Sequence, residues 1–380
     1  MSAPENRAFG ESPRALIAWS MTPQTTSQAS SLAGLAARGA FNLPQLFGRE
    51  GRSGRFGARG EAMSKAEWFG AQWDGAGLRL WAMRGTDVIA QGDRHIDLRS
   101  AKDQGFAQVL SAEQGLLIRK IEEGAAYPAE QWGDAPTVMC GEIGGREGWL
   151  ETPFSDVPTK AYGPLMQVRG ARVWIACGMR QADPADVMRG NETRISGLLA
   201  ARPEFDGVVC LTGAQTQWAR ISAGELCYFQ SFMTGELFSF MAQASSLHPL
   251  IAQAAGDMAD TAGAEDSVAF DRAVEEGMTQ PHRAFGRLAQ LRASVLVGDL
   301  TPKAAAARLS GLLVGLELAS AKPYWLGEEV VLMGAQAGRM ARALESQGVV
   351  TRQADAEAAL LAGLHRAWMG LDAVASGARG

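Results

Sequence analysis

The stretch "VVCLTGAQTQWARI" (208–221) runs an apolar strand into a glycine turn and then into a second, alternating strand. An apolar run closed by turn residues and followed by period-two alternation reads as the two arms of a β-hairpin. Moving outward, the turn "AGE" (223–225) and "LCYFQSF" (226–232) add a third strand, and "GELFSFMAQASSL" (235–247) adds a helix. The same order occurs earlier in the chain. There "WFGAQWD" (68–74), a glycine turn, "LRLWAMR" (78–84), the turn "GTD" (85–87) and "VIAQ" (88–91) precede a helical stretch from about residue 104 to 124.

Between these openings lie "PTVMCGEIG" (136–144) and "ARVWIACGM" (171–179), strands that end at glycine turns. In "ADPADVMRGNETRISGLLAARP" (182–203), Asp183 and Pro184 supply N-cap and first-turn signals for a helix. The second half adds helical stretches near 264–279, 282–297 and 302–320, the buried strand "VVLMG" (330–334), and a last helix near 355–371. A duplicated strand-strand-strand-helix opening followed by strand-helix units implies an α/β protein. Its two domains of mixed sheet plus helices are each ribonuclease H-like and face one another across a cleft. The glycine hairpins at 74–77 and 213–216 then lie on opposite sides of that cleft, placed to grip a polyphosphate, while the turn after "VVLMG" seats a nucleoside. The expected division is a flexible extension over 1–62, an N-terminal domain over 63–204 and a C-terminal domain over 205–380.

Composition supports a soluble globular chain of more than one domain: 380 residues, 47% hydrophobic and 20% charged. A formal net charge of −5 argues against a general nucleic-acid or anionic-membrane binder and leaves small anionic ligands open. Cys140, Cys177, Cys210 and Cys227 show no metal-binding spacing and read as buried reduced thiols. No apolar run reaches the length of a membrane span, and a cytoplasmic protein, either monomeric or a homo-oligomer, is expected. The first 62 residues are rich in Gly, Ser, Ala and Arg; "FGREGRSGRFGARGEA" (47–62) reads as a flexible tract, and Met63 just precedes the first strand.

Four further stretches carry chemistry. They are "MCGEIGGREGWLETP" (139–153), "DVMRGNET" (186–193), "FMTGELF" (232–238) and "LSGLLVGLEL" (309–318). In this order they resemble the 2-dehydro-3-deoxygalactonokinases, sugar-acid kinases of the actin-like ATPase superfamily, from about residue 68 to the C-terminus. The resemblance implies phosphorylation of the 6-hydroxyl of 2-dehydro-3-deoxy-D-galactonate by ATP with Mg²⁺, a step in galactonate breakdown.

Such a reaction needs a base, donors for the substrate carboxylate and charge neutralisation at the phosphoryl group. Asp186, expected at a helix start after a glycine-ended strand, is either the base or a helix cap. Arg189 and Glu192, at i+3 and i+6, either flank it as substrate ligands or form a structural ion pair. Arg146 matches a carboxylate bidentately, Trp149 packs on the carbon chain of the sugar acid, and Glu151 is a weaker polar candidate. Gly75, Gly213 and Gly334 allow close approach of backbone to the nucleotide, Thr216 offers a hydroxyl, and Glu236 either supports the cleft or favours a helix N-terminus.

The chain departs from the family pattern at both hairpins. Gln72 stands where the family has an aspartate that helps hold hydrated Mg²⁺, and Asp74, on the same strand face, is the replacement candidate for the metal. Gln215 and Gln217 stand where the family has an imidazole and an ammonium. The expectation is therefore either a working kinase or a kinase-like binding or regulatory protein with weakened phosphoryl transfer.

Overall fold

The computed structural model describes residues 67–75, 77–123, 132, 134–257 and 264–377. The expectation of a flexible tract over 1–62 falls outside them. The first half opens with β1 (Glu67–Asp74), β2 (Gly77–Arg84) and β3 (Asp87–Arg94), then α1 (Leu98–Gln104) and α2 (Phe106–Glu123). One helix was expected here. Two form because Gly105 ends the first, its N–H bonding back to the Lys102 carbonyl, while Asp97 caps the start by accepting from the Ser100 N–H at 2.8 Å.

Then come β4 (Thr137–Cys140), the short strands β5 (Phe154–Asp156), β6 (Thr159–Lys160) and β7 (Leu165–Gln167), and β8 (Val173–Ala176), β9 (Gly178–Gln181), β10 (Asp186–Met188) and α3 (Asn191–Ala201). The helix expected from Asp183 is thus displaced. Residues 186–188 pair antiparallel with β9, and the helix begins only at Asn191, after Gly190 at φ +88°.

The second half runs β11 (Gly207–Thr212), β12 (Thr216–Ser222), β13 (Glu225–Phe232), α4 (Thr234–Ala244), α5 (His248–Asp257), α6 (Ala264–Thr279), α7 (Ala284–Leu296) and α8 (Pro302–Ser320). It ends with α9 (Lys322–Trp325), β14 (Val330–Gly334), α10 (Ala337–Glu345), β15 (Thr351–Gln353) and α11 (Ala356–Gly377). Helix α8 starts where its sequence says it should: Thr301 caps it and Pro302 occupies the first turn.

Two six-stranded sheets carry the molecule, ordered β3-β2-β1-β4-β8-β7 and β15-β14-β11-β12-β13-β6. Each has an antiparallel meander (β1 to β3, β11 to β13) whose first strand continues into parallel neighbours (β4 and β8, β14 and β15). This is the ribonuclease H-like order, twice, and it confirms the mixed α/β class. A small sheet, β10-β9-β5, accompanies them.

Strand alternation distributes the cores. Phe69, Ala71 and Trp73 face α1 and α2, whereas Trp68, with Trp81 and Cys140, faces Leu360, Leu364 and Trp368 of α11. Trp68 stacks on Trp368 with centroids 5.3 Å apart, a pairing worth about 1 kcal/mol beyond the area it buries. In the second sheet Val209, Leu211 and Ala219 face α3, and Val208, Cys210 and Trp218 face α6, α8 and α10. The halves also exchange elements: β6 pairs with β13, and α11 covers the first sheet. Helix α3 therefore lies where it can touch the ends of both meanders. Cys140, Cys177 and Cys210 are buried free thiols as expected, and Cys227 is half-buried.

Candidate active site

Parallel strands β11 and β14 end level with each other, Thr212 opposite Gly334. The carboxyl ends of parallel strands are where open α/β sheets bind ligands. Thr212 fastens the two ends: its hydroxyl donates to the Met333 carbonyl at 3.0 Å and accepts from the Gln336 N–H at 3.1 Å. Gly334 sits at φ +103°, and a Cβ there would fall 2.0 Å from the Thr212 carbonyl, so this turn requires glycine. Above the strand ends lies a cavity of about 330 Å³, lined among others by Gly213, Thr216, Thr234, Gly235, Gln336 and Arg339.

The first turn of α4 closes one wall. A Cβ on Gly235 would lie 2.1 Å from the Gly213 carbonyl, and the Glu236 N–H donates to the Ala214 carbonyl at 2.7 Å. Helix α4 has no side-chain cap and its Glu236 N–H is spent on Ala214, so the N–H groups of the cavity-lining Thr234 and Gly235 are the ones suited to an anion. The Glu236 side chain is exposed and away from the lining; only its backbone takes part. Beneath the hairpin, Glu317 of α8 is buried and accepts from Trp218 Nε1 at 2.7 Å. Burial raises its pKa, opposed by the donors Thr234, Trp218 and Thr216. Arg339 is half-buried, donates to Gln336 Oε1 at 2.9 Å, and is pulled below the usual arginine range by burial.

The first meander presents Gln72 rather than a carboxylate at its end. Gln72 is 6% exposed; its Nε2 donates to Asp74 Oδ2 at 3.0 Å, and its Oε1 accepts from two guanidinium groups, Arg79 across the strand pair and Arg194 of α3. Arg194 also donates to Asn191 Oδ1 at 3.0 Å, and Asn191 Nδ2 donates to Gln217 Oε1 at 2.8 Å. Gln217 Nε2 in turn donates to the Ser231 hydroxyl at 2.9 Å and to the Val187 carbonyl at 3.2 Å. Two of the three amides that depart from the family pattern, Gln72 and Gln217, are thus joined through the first turn of α3. Gln215 is an exposed turn residue outside this chain of bonds.

This cluster does not suit a protein-held divalent ion. Among the described residues no group of three or more His, Cys, Asp or Glu side chains is placed to hold a metal. Asp74 is engaged by the Gln72 amide, and the Gln72 oxygen is taken by two cations. Mg²⁺ fits only as an ion carried by nucleotide phosphates and water.

The loop after β4 places Arg146 and Glu151 in solvent, Arg146 without an ion pair or hydrogen bond among the described residues, at the carboxyl end of a parallel strand. Trp149 is half-buried and stacks on Phe106, centroids 6.1 Å apart. Gly75 is an exposed turn residue. Arg189 is not on a helix face with Asp186. It donates to the Thr152 hydroxyl at 2.6 Å and carbonyl at 2.8 Å and lies 4.0 Å over the Phe154 ring, and Glu192 is not its partner. Asp186 sits in β10, where both oxygens accept from Ser231.

Glu192 occupies the first turn of α3, beside the ends of β1 and β4, and is 2% exposed. The Thr193 hydroxyl donates to its Oε1 at 3.1 Å, while Oε2 is buried without a partner. Burial is the main cause that raises its pKa to about 7, and the Arg194 charge opposes it only weakly. Arg194, Asn191, Arg79, Ser231 and Glu317 were not singled out from the sequence. The one signal was local: Asn191 and Arg194 share a helix turn with Glu192 inside "DVMRGNET" and its continuation.

Comparison with known proteins gives a consistent picture. The family described as 2-keto-3-deoxy-galactonokinase matches residues 72–367. A protein of Rhizobium meliloti (strain 1021), named as a probable 2-dehydro-3-deoxygalactonokinase, is 31% identical over 318 residues, 80% of this chain and 98% of its own length. The 2-dehydro-3-deoxygalactonokinase of Escherichia coli (strain K12) is 27% identical over 286 residues, 73% of this chain and 88% of its own length. A crystal structure of a Sinorhizobium meliloti protein assigned to the same activity superposes with TM-score 0.68 at 29% identity, covering 80% of this chain and 99% of that one.

Proposed function

The chain belongs to the 2-keto-3-deoxy-galactonokinase family, and from that premise we propose that it transfers the terminal phosphoryl group of ATP to the 6-hydroxyl of 2-dehydro-3-deoxy-D-galactonate. The observation that carries the nucleotide half is the cavity at the ends of β11 and β14, walled by Thr234 and Gly235 at the uncapped start of α4. Its size suits a nucleoside, and its hairpin and helix end suit phosphates. Arg339 and Gln336 border the nucleoside, Gly213, Thr216 and Gly235 the phosphates.

The sugar acid is assigned to the loop after β4. Arg146, exposed and unpaired, takes its carboxylate, Trp149 lies along its carbon chain, and Glu151 borders it. In the transfer, the substrate hydroxyl oxygen bonds to the γ-phosphorus as the bond from that phosphorus to the β-phosphate oxygen breaks, and ADP leaves with the electron pair. The hydroxyl proton needs an acceptor. Glu192 fits better than Asp186: its Oε2 has no partner and its pKa, about 7, suits a base working near neutrality, whereas both Asp186 oxygens are committed to Ser231. Mg²⁺, arriving with the nucleotide, neutralises phosphate oxygens when bound. A reaction drawing on ATP is assigned to the cytoplasm.

The test is ADP release coupled to an indicator enzyme, with 2-dehydro-3-deoxygalactonate as acceptor and mass spectrometry of the product. A 6-phosphorylated sugar acid formed one for one with ADP is expected. ADP release that ignores the sugar acid, or none at all, overturns the assignment.

A further inference from the structure

Arg194 is a half-buried cation that forms no ion pair among the described residues; its partners are two neutral amide oxygens, Gln72 Oε1 and Asn191 Oδ1, each at 3.0 Å. Burial pulls its pKa below the usual arginine range, and the positive charge of Arg79 adds to that. Arg79 shares the Gln72 oxygen and is itself 3.4 Å from Glu357 at the surface. The other ionisable groups around Arg194 offset its charge only in part. The Cys140 thiol is pushed up to about 12 and stays protonated, Glu192 titrates only near 7, and Asp74 is bonded to the far end of the Gln72 amide. A partly desolvated cation without a fixed carboxylate is costly, and such an arrangement marks a place where a mobile anion completes the site.

The neighbours of Arg194 say which anion. Through Asn191 it is bonded to Gln217, which follows the cavity-lining Thr216 on the same strand and points to the other face of it. Through Gln72 it is bonded to the end of the opposite meander. It is therefore tied by hydrogen bonds to both meanders, to β1 through Gln72 and to β12 through Asn191 and Gln217.

We propose that Arg194, backed by Arg79, is the phosphoryl-stabilising cation of this chain, supplying from the protein the positive charge that the residues at this position are unfit to hold as a metal ion. The amide at residue 72 then has a purpose. It holds the guanidinium in place without neutralising it, where a carboxylate would pair with it and withdraw it from the phosphoryl oxygens. Gln217 and Asn191 fix its second edge. The inference rests on the kinase reading above.

Three variants test it in the full chain. Arg194→Met is expected to lower kcat by about 10²-fold, with the affinity for AMP unchanged, because charge stabilisation at the transferring group is lost. Arg194→Lys should recover part of that loss. Gln72→Asp should also lower kcat, at least about tenfold, by pairing with the arginine. A Gln72→Asp protein that turns over faster than the parent, or an Arg194→Met protein within about twofold of it, overturns the proposal. Thermal midpoints screen for misfolding; if Arg194→Met does not fold, the sign of the Gln72→Asp effect decides. If the parent itself fails to phosphorylate the sugar acid, the kinase reading falls alone. Calorimetry with the β,γ-imido analogue of ATP then reads the cation directly: Arg194→Met must weaken the analogue selectively over AMP, and equal or absent weakening overturns the assignment.

Discussion

Ser231 holds both oxygens of Asp186, its backbone N–H donating to Oδ2 at 2.6 Å and its hydroxyl to Oδ1 at 2.9 Å. The aspartate thereby fastens the small sheet to the edge of β13, and in the proposed reaction proton abstraction falls to Glu192. Glu192→Gln is expected to reduce kcat by about 10²-fold or more, because removing a positioned base costs that much. Asp186→Asn should lower the unfolding midpoint more than it lowers kcat at a temperature where the protein is folded. Steady-state rates alongside thermal melts separate the two; a folded Asp186→Asn protein without turnover, beside an active Glu192→Gln protein, would return the base to Asp186.

Stability should fall as pH rises from about 4.5 to 7. The Glu192 carboxyl has its pKa raised from 4.5 to about 7 in the folded chain, so between those values the folded state binds more protons than the unfolded state. Ionising it inside the core costs on the order of 3 kcal/mol once pH is above both values. Burial raises Glu317 in the same direction. Urea midpoints measured across this window should slope downward in the parent and less steeply in Glu192→Gln. Parallel curves would mean that the carboxyl is not buried as described.

Two glycines of the cavity should respond differently to alanine. At Gly213 a Cβ meets only the Gln215 carbonyl, at 3.4 Å, so Gly213→Ala should melt like the parent while raising the KM for ATP several-fold, as the methyl enters ligand space. At Gly334 the backbone is left-handed and Thr212 is in the way, so Gly334→Ala should lose more than about 1 kcal/mol of stability as well. Differential scanning fluorimetry with and without ATP reads both effects.

The two arginines near the loop after β4 should also separate. Arg146→Ala is expected to raise the KM for the sugar acid at least about tenfold, the loss of a charge-assisted contact, with an unchanged melting temperature. Arg189→Ala removes two hydrogen bonds to Thr152 and a stacking contact on Phe154, so it should destabilise the fold. Equal melting temperatures for the two variants would contradict the placement of Arg189.

What could be read from the sequence follows from what is local in physics. Both meanders, the buried strand "VVLMG" and the helices of the second half carry their own periodicity, and they lie where their patterns put them. The segment at 183–190 misled because Asp183 and Pro184 carry helix-start chemistry, yet residues 186–188 gain more by pairing with β9, a partner that no local pattern announces. The cavity glycines and Thr216 were legible as turn chemistry. The bonds that join the two meanders were not: Gln72 and Arg194 are 122 residues apart, and Gln217 reaches Asn191 only because the second sheet packs against α3. Read alone, an amide in place of a charge looks like a loss; its meaning depends on the cation brought to it by the fold.

Strand β6 of the first half completes the second sheet, and α11 of the second half seals the first. Neither half owns a full core. Chains divided at 204/205 would each expose an apolar face and an open strand edge, so the described body should melt in a single cooperative transition rather than lobe by lobe. Nucleotide bound at one end would then protect the whole molecule against proteases, including the meander farthest from it.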